Sequence, residues 1–240
     1  MATFVLVSGA WHAGWCWERV VPLLESQGHR ALAPDLLGMG RDKTPLGSVT
    51  LAAWANQIAD LIRAQPEPVV LTGHSRGGIV ISETAERVPE RISTLVYLTA
   101  LMLPNGATLG DMAALVTEET MAIARPGPEG GTLVAPEAVG PTFYNTTAAE
   151  WVERARQMLG PEPAGSFSAP LKLSPERYGR VPRAYVECAL DRAISLEMQR
   201  RMQAALPCDP VITLQTDHSP FFSSPQELAA SLVAIAAQRR

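Results

Sequence analysis

Val69-Val70-Leu71-Thr72-Gly73-His74-Ser75-Arg76-Gly77-Gly78 joins a run with the character of a buried strand to a glycine-flanked serine, and then to a helical pattern beginning near Ile79. Gly-x-Ser-x-Gly between a strand and a helix sets the serine on a sharp turn in a strained backbone conformation. Gly73 and Gly77 must lack side chains for strand and helix to approach that closely. The hydroxyl then stands above the sheet edge at a helix N-terminus, where free N–H groups and the helix dipole favour developing negative charge. A phosphate loop is the competing reading of a glycine-rich turn. It fails here because no Lys-Ser/Thr pair follows the glycines and the serine lies between them.

Outward from this turn, short apolar runs alternate with longer amphipathic segments. Phe4–Val7 precedes a helix expected at Gly14–Ser26, and Arg30–Ala33 one at Leu51–Ala64. Val69–Thr72 is followed by a helix from about Arg76 to Arg87 and then by Ile92–Thr99. Repetition of this kind implies a parallel sheet covered by helices on both faces. The rhythm breaks over 104–180, which is rich in proline and glycine, with helical stretches near Leu109–Ala124 and Ala148–Leu159 and no convincing strand. It resumes with Ala184–Cys188, a helix at Ser195–Ala205, Val211–Gln215 and a last helix from about Pro225 to Gln238. Residues 1–240 therefore read as one domain of about six strands. Segment 104–180 reads as a cap inserted after the fourth strand, since it holds too few periodic apolar positions to fold alone.

Bulk properties narrow the function classes. With 47% hydrophobic and 18% charged residues the chain can build a large core, and its net charge of −4 with scattered arginines offers no footprint for nucleic acid. No apolar run approaches the roughly 18 residues a membrane-spanning helix needs. The N-terminus opens on a core strand with no segment resembling a signal peptide, so a cytoplasmic location is expected. Cys16, Cys188 and Cys208 lack metal-ligand or redox spacing and read as small buried hydrophobes. Neither a metal cluster nor a nucleotide loop is visible, and no cofactor or metal is expected. The sequence sets no oligomeric state, and a homodimer is compatible with it.

A serine hydroxyl needs a positioned base. His74 adjoins the nucleophile and would project away from it, His29 precedes an inner strand, and His12 belongs to the first glycine loop. Only His218 follows a late strand, at the sheet end where the turn must also lie. Asp191, just after Ala184–Cys188, supplies the acceptor that orients the base and completes the chain order Ser, Asp, His. Asp217 is the immediate neighbour of His218 and poorly placed to reach its Nδ1, Asp209 is at the wrong end of its strand, and Glu187 lies inside one. The backbone N–H groups of Ala10 and Arg76 are placed by position alone to form an oxyanion hole.

Together, Phe4-Val5-Leu6-Val7-Ser8-Gly9-Ala10-Trp11-His12 with Trp15-Cys16-Trp17, Ala33-Pro34-Asp35-Leu36-Leu37-Gly38-Met39-Gly40, Gly73-His74-Ser75-Arg76-Gly77-Gly78, Asp191-Arg192-Ala193-Ile194 and Asp217-His218 carry a resemblance. They are similar to the plant methylesterase and hydroxynitrile lyase branch of the α/β-hydrolase superfamily and its bacterial esterase relatives. Ser174-Pro175-Glu176-Arg177-Tyr178-Gly179 resembles the segment that returns the family's cap to the core. The resemblance implies an α/β-hydrolase fold and an enzyme, a serine carboxylesterase acting on small to medium uncharged esters. Two positions depart from it. Ser8-Gly9 stands where the family usually has His-Gly, though serine also hydrogen-bonds locally. Lyase members carry a threonine where Ala10 stands and a lysine where Ser219 follows the histidine, so ester hydrolysis is the better reading.

An apolar substrate pocket is expected from Met102, Leu103, Phe143 and Trp151, with Trp11, His12 and Phe221 nearer the core. For any one of them ordinary packing is an equal explanation. The alternatives are a hydroxynitrile lyase, which releases cyanide from mandelonitrile, a non-catalytic small-molecule receptor on the same fold, which forms a stoichiometric complex without turnover, and a haloperoxidase-like or other cofactor-free reaction at the same serine.

Overall fold

A computed structural model describes residues 1–108, 111, 123–166 and 169–238. Six strands form one sheet: β1 (Thr3–Val7), β2 (Arg30–Leu32), β3 (Val69–His74), β4 (Ile92–Leu98), and, beyond the insertion, β7 (Arg183–Cys188) and β8 (Val211–Leu214). Their spatial order is β2-β1-β3-β4-β7-β8 and every pairing is parallel. β2 is a three-residue strand at the sheet edge, so the strand after His29 is not an inner one.

The two-residue period of each strand divides the core. Val5, Val7, Val69, Leu71, Leu95, Tyr97 and Tyr185 face one helical layer, while Phe4, Leu6, Val70, Val96, Leu98, Ala184 and Val186 face the other. The first layer contains α2 (Leu51–Arg63), α3 (Gly77–Arg87) and α6 (Leu196–Ala205); the second contains α1 (Val21–Glu25) and α7 (Pro225–Ala237). In α2 the Thr50 side chain caps the Ala53 N–H, and Leu51, Trp54, Ala55, Ile58, Ala59 and Ile62 make one buried stripe at helical spacing. The helix expected over Gly14–Ser26 is instead a 3-10 turn, Gly14–Trp17, followed by α1, with Pro22 at the start of α1 where a missing N–H costs nothing.

The chain leaves the sheet after Leu98 and returns at Arg183. In between lie α4 (Pro136–Phe143) and α5 (Ala149–Met158), and a small antiparallel hairpin of β5 (Ala124–Pro126) with β6 (Thr132–Val134). The hairpin is absent from the sequence reading because three-residue strands separated by Gly127, Gly130 and Gly131 carry too short an alternation to register. The helix expected near Leu109–Ala124 lies outside the described residues, apart from Asp111 and its last two positions. No helix among the described residues is long and apolar enough to cross a membrane.

Candidate active site

β1, β3, β7 and β8 all deliver their following loops to the same edge, since Val7 pairs with Gly73 and Cys188 with Leu214. Ligand sites of open parallel sheets sit at such carboxyl ends. Ser75 adopts φ 53°, a left-handed conformation that is strained for any residue with a Cβ. Its N–H donates to the Leu98 carbonyl at 3.3 Å, and its own carbonyl accepts from Gly78 and Leu101 N–H, each at 3.0 Å. The turn is thus clamped between β4 and α3. A Cβ on Gly73 would stand 2.6 Å from the Gly77 carbonyl oxygen, and one on Gly77 2.9 Å from the carbonyl oxygens of Val7 and Ser8. His74 and Arg76 are buried on either side, while Ser75 is half-exposed.

His218 and Asp191, 27 residues apart in sequence, meet with Nδ1 2.6 Å from Oδ2, both side chains buried. The carboxylate also accepts the Thr99 hydroxyl, Ala193 N–H at 2.6 Å and Ile194 N–H at 2.9 Å. It is therefore fully occupied, and the bond it takes from Nδ1–H leaves Nε2 as the basic nitrogen of His218. His74 packs on the other side, its ring 4.6 Å from that of His218 and its Nε2–H donating to the His218 carbonyl at 2.8 Å. Asp217 turns away and accepts Thr146 N–H, the Thr147 hydroxyl, Ser219 N–H and the Ser223 hydroxyl, tying the histidine loop to the insertion. Glu187 is engaged by Arg200, Gln203 and Thr213 on the flank of the sheet.

The loop after β1 is held from several sides. Ser8 Oγ donates to the His12 carbonyl at 3.1 Å, the local bond its sequence position suggested. His12 Nδ1–H donates to the Ala10 carbonyl at 2.7 Å and Nε2 accepts the Tyr144 hydroxyl at 2.6 Å. Burial, partly opposed by the Ala10 bond and aided by the nearby His218 and Arg76, pulls the His12 pKa down to about 3, which fixes the ring as neutral. Burial likewise holds His74 well below the ordinary histidine range. Trp11 sits at φ 61°, its N–H donating to Glu162 at 3.1 Å, its carbonyl accepting Gly160 N–H at 3.0 Å and its indole N–H reaching Thr132 at 3.2 Å. Among the described residues, the N–H groups of Ala10 and Arg76 have no intramolecular acceptor.

Of the expected pocket residues, Phe143 lies 5.5 Å from the His218 ring and 5.9 Å from Trp11, so the structure brings these aromatics together at the site. His12 is a buried brace with both ring nitrogens occupied, and Phe221 is completely buried against His12, Trp17 and His74. Trp151 packs on Phe222 beneath the Arg19 guanidinium. Met102 and Leu103 line a cavity of about 300 Å³ with Met198 and Met202 of α6, and none of Ser75, Asp191 and His218 is among its lining residues. Glu162, Thr99 and Tyr144 carry no assignment in the sequence reading, and Asp217 enters it only as a rival to Asp191 that is set aside. Their only local signal is a polar residue among prolines or at a strand end, which is common on any surface.

A wholly parallel sheet with a serine on a left-handed turn after one strand, and a histidine–aspartate pair after two later ones, defines an α/β-hydrolase architecture. The chain belongs to the alpha/beta hydrolase family, whose model matches residues 4–231. It is 33% identical to methylesterase 1 of Arabidopsis thaliana over 250 residues, covering 97% of this chain and 95% of that protein. It is 31% identical to pyrethroid hydrolase of Sphingobium wenxiniae over 239 residues, covering 95% and 85% respectively. The crystal structure of polyneuridine aldehyde esterase is similar with a TM-score of 0.89 at 28% identity, covering 98% of this chain and 99% of that one. These likenesses place the chain in the methylesterase-like branch with its bacterial relatives.

Proposed function

We propose that the chain is a serine carboxylesterase that hydrolyses small to medium uncharged carboxylic esters through an acyl-enzyme on Ser75. The observation that carries this reading is the buried Asp191–His218 hydrogen bond of 2.6 Å at the same sheet edge as a left-handed serine at a helix N-terminus. Ester-cleaving relatives support it: a methylesterase, a pyrethroid hydrolase and polyneuridine aldehyde esterase. Phe143, which approaches His218 from the insertion, and Trp11 of the first loop, which packs on Phe143, offer aromatic faces suited to uncharged substrates.

His218 Nε2 removes the Ser75 hydroxyl proton as Oγ bonds to the ester carbonyl carbon. The carbonyl electron pair moves to oxygen, which rests on the N–H groups of Ala10 and Arg76. Collapse of this intermediate expels the alcohol, protonated by the His218 imidazolium that Asp191 stabilises. Water repeats the sequence on the acyl-enzyme, releasing the acid and restoring the serine.

Labelling by a fluorophosphonate probe followed by peptide mapping should find Ser75 modified. Ser75→Ala should lower kcat on p-nitrophenyl acetate by on the order of 10⁶. A Ser75→Ala protein that keeps most of its activity, or a label on another residue, rejects the assignment.

A further inference from the structure

Arg76 carries more than the amide of its own backbone. Its Nε and Nη2 fork onto the Glu162 carboxylate at 2.8 and 3.1 Å, and Nη2 also donates to the Gly9 carbonyl at 3.0 Å. The Gly9 carbonyl and the Ala10 N–H belong to one peptide group, and in a planar trans peptide the two point in opposite directions. Fixing the carbonyl on the guanidinium therefore fixes the direction of the Ala10 N–H. A charge-assisted bond to that carbonyl also polarises the peptide and strengthens the N–H as a donor. Glu162 completes the arrangement by accepting the adjacent Trp11 N–H at 3.1 Å, so that of the two loop amides Ala10 is the one left to serve a substrate oxygen.

Stability does not call for this pair. Arg76 and Glu162 are 2% and 0% exposed, and Arg76 Nη1 has no acceptor among the described residues, its guanidinium lying instead 4.3 Å over the Trp54 ring. Buried ion pairs with incomplete hydrogen bonding are commonly no better than apolar residues of the same volume. The pair also joins three pieces of chain: the turn after β3, the loop after β1 and the insertion.

We propose that the Arg76 side chain, held by Glu162, is a positioning group that presets the Gly9–Ala10 peptide for the oxyanion hole. This rests on the esterase reading above. Arg76 then contributes twice, through its own N–H and through its side-chain hold on the peptide that bears the other donor.

The test uses a charge-neutral pair, Arg76→Met with Glu162→Gln, in which the glutamine carbonyl still accepts the Trp11 N–H. On p-nitrophenyl acetate kcat should fall about 10²-fold, the scale of losing one oxyanion donor, with KM within twofold. Affinity for an alkyl trifluoromethyl ketone, whose adduct places an oxyanion in the same site, should fall by the same factor, and the thermal midpoint should stay within a few degrees. Arg76→Lys, which keeps a cation beside Glu162 and one donor for Gly9, should recover part of both losses and also serves if the pair variant folds poorly. Turnover and ketone affinity within twofold of the parent in these variants, or a rise in KM alone, overturns the proposal. An active Ser75→Ala protein would fault the esterase reading itself, whereas an inactive one beside a fully active pair variant removes only the positioning role.

Discussion

Asp191, Asp217 and Glu162 are three buried carboxylates within one small region, each satisfied by a different set of donors. Asp191 faces one imidazole N–H, one hydroxyl and two backbone N–H groups, an environment made of donors that suits an acceptor-only carboxylate. An asparagine there would have to turn an N–H₂ group toward one of those donors, and if it faced Nδ1 it would force the imidazole into the wrong tautomer. Asp191→Asn should therefore lower kcat by about 10⁴, as in serine-protease triads, while far-UV circular dichroism stays unchanged. Steady-state kinetics on p-nitrophenyl acetate checks this, and a loss under tenfold would place the orienting acceptor elsewhere. Asp191 could be found in the sequence because strand end and chain order converge on it. Glu162 could not, because its partners are 86 and 151 residues away.

The strand–turn–helix unit from β3 to α3 shows how an element's shape comes from what it lacks. The close approach of Gly77 to the Val7 and Ser8 carbonyl oxygens involves backbone at the end of the neighbouring strand and the start of its loop, which cannot move aside as a flexible side chain would. Gly77→Ala should accordingly cost about 1–3 kcal/mol, the range for overpacking a filled interior, and should lower kcat as the turn shifts. Urea unfolding that finds the variant as stable as the parent would contradict this packing. The element was readable from the sequence because glycine spacing and strand period are local properties. The β5–β6 hairpin and α4 were not, since short segments containing Gly and Pro give little periodicity and are formed through contacts with distant chain such as Thr132 with Glu162.

Across the whole molecule, burial of uncharged histidines links stability to pH. His12 stays neutral in the folded protein until about pH 3, and His74 is also strongly depressed, whereas both take up protons near pH 6.5 once unfolded. Between those limits the unfolded chain binds more protons than the folded one, so stability falls as pH falls, by up to about 1.4 kcal/mol per pH unit for each histidine. His12→Asn should flatten that dependence whatever its stability at pH 7. Urea unfolding at pH 7, 6 and 5 compares the slopes, and identical slopes in the two proteins would mean that His12 is not buried in neutral form.

The sequence by itself determined the alternation of strands and helices, the six-stranded parallel sheet, the serine turn and the residue types placed to orient a base. These follow from period, glycine placement and chain order, which act over a few residues at a time. Only the tertiary structure decided which aromatic side chains face His218 and which are packing. It also decided that Met102 and Leu103 border a cavity that Ser75, Asp191 and His218 do not line, and that a carboxylate of the insertion and the arginine beside Ser75 hold the first loop between them. Those contacts depend on the path of a long insertion and on burial that pairs charges far apart in the chain, and neither leaves a mark at the scale of neighbouring residues.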